Sequence, residues 1–292
     1  MKKLYFIFAI VILFGSCKEQ RTYYLSPDTT PYEVHELTKD DVFSHNVEGP
    51  SFRNDTLFVV NYQKDGTVGY ILPGGKCKLY KTLPEGSIGN SVKFDKDGNM
   101  YLADFAGHNI LKINKSKEIS IYCHNDAFNQ PNDMDMSSKG WIYASDPDWT
   151  DSTGQVWLIK NEGESIRVAD SMGTTNGITL SPDEKHLYVG ESVQLKIWRF
   201  DVNEDGSLSN KKLFTTFQGY DLDGMHFGPK GNLFVCRYGK GEIVVFNPKG
   251  KQVKTIALNA KKCSNLVFGD PDGKTVFVTL QDKKGLEMFR IK

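Results

Sequence analysis

Six oxygen-bearing side chains recur along the chain at a nearly constant interval: Glu48, Asn90, Asn132, Asn176, Asp223 and Asn265, spaced 42, 42, 44, 47 and 42 residues apart. Each ends in a carboxylate or an amide, and none is basic. Brought together without a cation, the two carboxylates would repel and the amides would lack hydrogen-bond partners. A hard divalent cation resolves both conflicts. An all-oxygen set favours Ca2+, with Mn2+, Mg2+ and Zn2+ as other occupants. Zinc prefers His or Cys, and neither stands at any of the six positions. Asn and Asp also cap loops before strands, which accounts for one or two such positions but poorly for six equivalent ones.

The interval belongs to a repeated structural unit. Each anchor opens a short apolar strand, a turn and a second β-branched or aromatic strand, as in NSVKFDKDGNMYLADF from Asn90 and NGITLSPDEKHLYVGE from Asn176. The turns carry Asp97-Gly98-Asn99, Lys139-Gly140, Pro182-Asp183, Lys230-Gly231-Asn232 and Asp272-Gly273, the chemistry of tight hairpins. Third strands are predicted at 110–113, 156–159, 196–200 and 243–246, and a fourth follows in most units, as at 119–122. Four antiparallel strands in about 40–50 residues make a propeller blade. The expectation is an all-β, six-bladed β-propeller over residues 32–292. The 27 glycines and abundant aromatics agree with it, and no stretch shows a helical period. The last unit ends after three strands, which would leave an open sheet edge. Residues 32–37 are therefore predicted to supply its outer strand and close the ring.

Lys and Arg number 36, as do Asp and Glu, so the formal net charge is zero. That balance argues against a nucleic-acid partner, which calls for a basic face. Lys2 and Lys3 precede an apolar run over 4–14, too short to span a bilayer and suited to a secretory signal peptide over 1–16. Leu13-Phe14-Gly15-Ser16-Cys17 resembles the lipobox of bacterial lipoproteins, with Phe14 where Leu is usual. On this reading Cys17 is lipidated and residues 17–31 form a tether. The protein would then sit in the bacterial cell envelope, periplasmic or at the cell surface, held to the membrane by its lipid alone. Cys77, Cys123, Cys236 and Cys263 have no metal-knuckle or redox spacing and are expected as buried free thiols. A monomer is expected.

The ordered segments Glu48-Gly49-Pro50, Pro131-Asn132-Asp133 with Ser145-Asp146-Pro147, Thr175-Asn176-Gly177 with Ser181-Pro182-Asp183, and Asp223-Gly224 resemble the senescence marker protein/gluconolactonase/luciferin-regenerating enzyme (regucalcin-like) family. The resemblance covers residues 32–292. It implies a divalent-metal site made by Glu48, Asn132, Asn176 and Asp223, and hydrolysis of a small-molecule lactone or ester. Asp223, the only Asp among the six anchors, is the expected base or nucleophile; Glu48 is expected as a ligand only. Asn90 and Asn265 would stand beside the ligands or on the pocket wall. Sugar lactonases of this family often carry Arg two residues before the third anchor, where this chain has Gln130. That difference puts acidic sugar lactones in doubt.

In a propeller, the loop before each first strand and the loop between second and third strands emerge on one face. Tyr62, Gln63, Asp104 and the following residues to His108, Asp146 through Trp149, Glu191, Arg237, Tyr238 and Gln281 are therefore expected around the cation. Trp149 and Tyr238 would stack on a sugar ring or an acyl group, and Arg237 would hold a carboxylate. His45 is expected at the surface. The other reading is a non-catalytic propeller that binds a sugar, peptide or protein, with metal as a central staple; fold alone does not choose between them.

Overall fold

The structure, a computed structural model, describes residues 22–292, so the signal peptide read over 1–16 and the lipidation site at Cys17 lie outside the described residues. A short strand, β1 (His35–Glu36), precedes blade one, formed by β2 (Phe43–Arg53), β3 (Thr56–Tyr62), β4 (Thr67–Ile71) and β5 (Cys77–Thr82). Blade two holds β6 (Gly89–Phe94), β7 (Met100–Asp104), β8 (Asn109–Ile113) and β9 (Ile119–His124). Blade three holds β10 (Met134–Met136), β11 (Ile142–Asp148), β12 (Thr153–Asn161) and β13 (Glu164–Met172). Blade four holds β14 (Thr175–Leu180), β15 (His186–Glu191), β16 (Lys196–Val202) and β17 (Leu208–Thr216). Blade five holds β18 (Asp221–Phe227), β19 (Leu233–Tyr238), β20 (Glu242–Phe246) and β21 (Gln252–Ala257). Blade six is β22 (Cys263–Gly269), β23 (Thr275–Leu280) and β24 (Gly285–Arg290), completed by β1. The described residues contain no helix.

The turn residues act as their chemistry requires. At Asp97-Gly98, for example, Gly98 takes φ +93°, donates to the Asp95 carbonyl at 3.1 Å and lets Asp95 N–H reach the Asn99 carbonyl. The first strand of every blade packs against the first strands of both neighbours, so six strands surround one axis. Between blades, apolar faces interlock. Phe234, Cys236, Ile243 and Val245 of blade five bury against Leu266, Val276, Val278 and Phe289 of blade six. All four cysteines of the described residues are free, three of them buried and Cys77 partly so.

The ring closes where expected. His35 pairs with Met288 and Glu36 with Glu287, while Tyr32 N–H donates to the Arg290 carbonyl at 2.7 Å and Leu37 N–H to that of Leu286 at 3.0 Å. The segment expected as a tether over 17–31 is in part packed on the propeller, because Tyr24 is built into the core. Its ring packs edge-on to Phe52 of blade one and Phe277 of blade six. Its hydroxyl donates to the Ile71 carbonyl at 2.5 Å and accepts from Leu57 N–H at 3.1 Å. Its own N–H donates to Asp270 Oδ1 at 2.8 Å. One aromatic residue thus rivets the seam between the first and last blades. Tyr24→Ala is expected to lower unfolding free energy by about 3 kcal/mol, the usual cost of emptying a large aromatic site, read from urea denaturation.

Candidate functional site

In five of the six blades a register slip interrupts pairing between first and second strands at the anchor: between Glu48 and Ser51, Gly89 and Ser91, Thr175 and Ile178, Leu222 and Met225, and Cys263 and Leu266. A bulge bends its strand and re-aims a side chain. In blade three Asn132 lies just before β10, its N–H donating to the Ser145 carbonyl at 2.8 Å. The inner strands also approach too closely for a side chain after some anchors. A Cβ on Gly177 would sit 2.3 Å from the Asp223 carbonyl oxygen, and one on Gly224 would sit 2.2 Å from Asn265 Cγ. The pairs Asn176-Gly177 and Asp223-Gly224 therefore combine an oxygen-bearing side chain at the axis with room for the neighbouring strand.

Five anchors, Glu48, Asn90, Asn132, Asn176 and Asp223, line one cavity of about 230 Å3, together with Trp149, Tyr238, Gln281, Ser192 and Asp221. Asn265 stands apart from that lining; its Oδ1 accepts Leu266 N–H at 2.8 Å, and its amide steadies the Glu48 carboxylate. Glu48 is 3% exposed and accepts Gly49 N–H at 2.7 Å. Burial pushes its carboxyl up to about 8; the Gly49 hydrogen bond opposes this, and the charge of Asp133 adds to it. Asp223 is raised well above the ordinary carboxylate range, first by burial and then by Glu48, with the Asn176 amide pulling the other way. Two carboxyl groups thus compete for ionisation in a cavity whose lining contains no Lys, Arg or His.

Several residues expected around the cation hold loops in place instead. Asp104 Oδ1 accepts Ile88 and Gly107 N–H groups, each at 3.0 Å. The Asp146 carboxylate accepts from Asn129 and Gln130 N–H groups, Gln155 Nε2 and Trp157 Nε1. Glu191 accepts Gly173 N–H at 2.8 Å. All three end, or stand near the end of, a second strand and bind the backbone that precedes the first strand of the same blade. Arg237 performs the same task with opposite polarity. Its guanidinium donates to the Gln218 and Gly219 carbonyls and lies 4.4 Å from the Phe217 ring centre, so it does not hold a substrate carboxylate. A buried donor or acceptor needs partners, and in each case the nearest are loop backbone groups. Tyr62 packs edge-on against Phe43, and His45 is exposed, as expected. Gln130 lines an adjoining hollow with His108 and Phe128, which shares Trp149 with the axial cavity.

Trp149, Tyr238 and Gln281 reach the cavity as expected, with Tyr238 Oη donating to Gln281 Oε1 at 3.0 Å. Burial, reinforced by Asp223, pushes the Tyr238 phenol up to about 12 and keeps it a neutral donor. Sequence reasoning left three residues without a role. Asp133, buried and outside the cavity lining, accepts the Ser91 hydroxyl at 2.9 Å and acts on Glu48 by its charge. Its place beside Asn132 in the Pro131-Asn132-Asp133 segment was the available signal. Asp221 and Ser192 line the wall without any repeat to mark them.

Among the described residues no group of three or more His, Cys, Asp or Glu side chains has metal-holding geometry. The donor set is instead carboxylates with amide oxygens, and the destabilisation of ionised Glu48 and Asp223 by burial and by neighbouring carboxylates fits an oxygen-seeking divalent cation. Residues 17–282 match the SMP-30/Gluconolactonase/LRE-like region. The chain belongs to that family. Over 240 residues it is 29% identical to a gluconolactonase of Zymomonas mobilis, covering 72% of this chain and 66% of the relative. It is 31% identical over 148 residues to the diisopropyl-fluorophosphatase of Loligo vulgaris, covering 47% and 46% of the two chains. The alignments thus span just under two thirds of the first relative's length and less than half of the second's. Among solved structures, a calcium-binding regucalcin from Agrobacterium tumefaciens superposes with a TM-score of 0.77 at 17% identity, covering 89% of this chain and 94% of that one. A gluconolactonase from Xanthomonas campestris gives 0.75 at 21%, covering 89% of each chain. At such identities the structural likeness establishes the fold alone.

The raised Glu48 carboxyl makes this propeller's metal-free stability depend on pH. Folding takes up a proton at Glu48, so the stabilisation is complete below the ordinary carboxylate value of 4.5 and declines as pH rises through about 8. Thermal melts in chelator should show Tm falling across that window, and Glu48→Gln should flatten the curve. Saturating Ca2+ should restore Tm at the alkaline end by binding the folded state.

Proposed function

We propose that the protein is a divalent-metal-dependent hydrolase of a lactone or ester, with its site at the acidic mouth of the propeller axis. The observation that carries this reading is the convergence of Glu48, Asn132, Asn176 and Asp223 on one cavity without a basic neighbour. The relatives named as lactonases support it. These four residues would hold the cation, Ca2+ by preference, which when bound would keep both carboxylates ionised and polarise a carbonyl. Asp223 opens on the cavity, whereas Glu48 is buried deeper and bound by Gly49 N–H. Asp223 is therefore the group that takes the proton from an attacking water, or itself attacks the carbonyl carbon. Trp149 offers a ring face, Tyr238 a neutral phenol and Asn90 an amide with which to orient the substrate. With Arg237 committed to loop carbonyls, a neutral lactone or ester fits this lining better than an acidic one.

Purified protein loaded with Ca2+ or Mn2+ is expected to hydrolyse members of a lactone and aryl-ester panel. Asp223→Asn and Asn132→Ala should each lower kcat/KM by about 100-fold or more. Single turnover in 18O water separates the two roles of Asp223: label enters its carboxylate only if it is the nucleophile. Turnover indifferent to both substitutions would overturn the reading. Metal-dependent stabilisation without turnover of any member would favour a binding propeller.

We also propose that lipid on Cys17 holds the protein in the bacterial envelope. Expressed in a bacterium fed labelled fatty acid, the full chain should carry label and fractionate with membranes. Cys17→Ser should abolish both.

A further inference from the structure

The repeat that builds the acidic mouth also builds a second ring. Three residues beyond the anchors stand Ser51, Lys93, Asp135, Thr179, His226 and Phe268. All except Thr179 line a separate cavity of about 510 Å3, which contains none of the anchors. Thr179 instead donates its hydroxyl to Asp135 Oδ2 at 3.1 Å.

The charges of this cavity are unevenly satisfied. Asp135 is fully engaged, accepting Leu180 N–H at 2.8 Å and Met136 N–H at 2.9 Å as well as the Thr179 hydroxyl. Asp95, the other acid of the lining, is turned into its own hairpin, where Asn99 and Tyr101 bind it. The basic groups are less fully satisfied, Lys93 having only a long ion pair to Asp135. Lys93 Nζ stands 3.9 Å from Asp135, beyond hydrogen-bond reach, with a side chain only 17% exposed. Arg53 donates one nitrogen to the Asp95 carbonyl and lies 5.5 Å from the Phe94 ring centre, with no carboxylate in contact. His226 uses Nδ1 on the Phe227 carbonyl at 2.9 Å, which leaves Nε2 as the ring's remaining polar atom.

Burial holds the His226 imidazolium below its ordinary range, and Lys93 depresses it further against the opposing charges of Asp135 and Asp133. Lys93 and Arg53 at one open hollow, joined by a third positive charge when His226 is protonated, are the reverse of the situation at the acidic mouth. An oxyanion relieves the conflict there as a divalent cation does at the other.

We propose that this second cavity is a binding site for a small oxyanion, held by Lys93, Arg53 and His226. Lys96 adds a further positive charge, and Phe52, Phe94 and Phe268 supply an apolar rim. The ligand is a carboxylate or phosphate compound small enough for the cavity; the aromatic rim favours a carboxylate with a planar or aliphatic body. Binding takes up a proton, because protonated His226 donates from both nitrogens.

Isothermal titration of the full chain with sodium benzoate and with inorganic phosphate tests the site. The expected result is one-to-one binding of at least one probe, tighter at about pH 6 than at about pH 8. Lys93→Gln and Arg53→Gln, each checked for an unchanged circular dichroism spectrum, should weaken it about tenfold or more. His226→Gln should remove the pH dependence. Preference for benzoate identifies an organic carboxylate, and preference for phosphate a phosphorylated or inorganic ligand. Binding indifferent to both the Lys93 and Arg53 substitutions would overturn the proposal, as would failure of both probes to bind at about 10 mM.

Discussion

Closure of the ring is the constraint on which the rest depends. Each anchor belongs to a different blade, so no carboxylate reaches its partner until six first strands stand around one axis. Glu48 enters from blade one, Asp223 from blade five, and the amides of Asn132 and Asn176 from the blades between. What holds the circle shut is a two-residue strand paired to β24 and one tyrosine driven between Phe52 and Phe277. With them works a buried apolar cluster in which Phe43, Leu57 and Val59 of blade one meet Val267, Phe277 and Leu286 of blade six. Backbone hydrogen bonds remove the open edge, and the buried ring adds apolar contact across the seam. The site is consequently a property of the whole propeller rather than of any blade.

Around that axis, packing and electrostatics pull in opposite directions. The inner strands approach closely enough that Gly177 and Gly224 admit no side chain, while their neighbours Asn176 and Asp223 must still be placed at the centre. Crowding removes water, and removal of water makes ionisation of Glu48 and Asp223 unfavourable. This destabilisation, left uncompensated by any basic side chain in the cavity lining, is the physical reason for proposing a cation there. The second cavity has the complementary problem: Lys93 disfavours protonation of His226, and Asp135 spends its carboxylate mainly on backbone N–H groups and the Thr179 hydroxyl. One repeat, offset by three residues, accounts for both.

Surrounding these cavities is a set of polar residues whose work is mechanical. Asp104, Asp146, Glu191 and Arg237 each bind loop backbone preceding the first strand of their own blade. They occupy positions from which a side chain could face the cavity, and topology alone placed them there. Their hydrogen bonds explain why they turn aside: a loop that enters the axis carries N–H and C=O groups which require buried partners. Trp149 and Tyr238, larger and with fewer such obligations, remain at the cavity.

By itself the sequence determined the blade count, the antiparallel hairpins, the closing segment over 32–37 and the identity of the axial anchors. These are local or periodic properties: turn residues require particular backbone angles, and a repeat of constant length must bury equivalent positions in equivalent places. Only the tertiary structure decided which anchors share the cavity, that Asn265 stands beside Glu48 instead, and that Arg237 turns one guanidinium nitrogen onto loop carbonyls. It also revealed Tyr24 as part of the core and Asp133 as a buried charge that acts on Glu48. These outcomes depend on which of several partners lies within about 3 Å of a polar atom. That distance is set by contacts between blades far apart in the chain, and no local pattern encodes it.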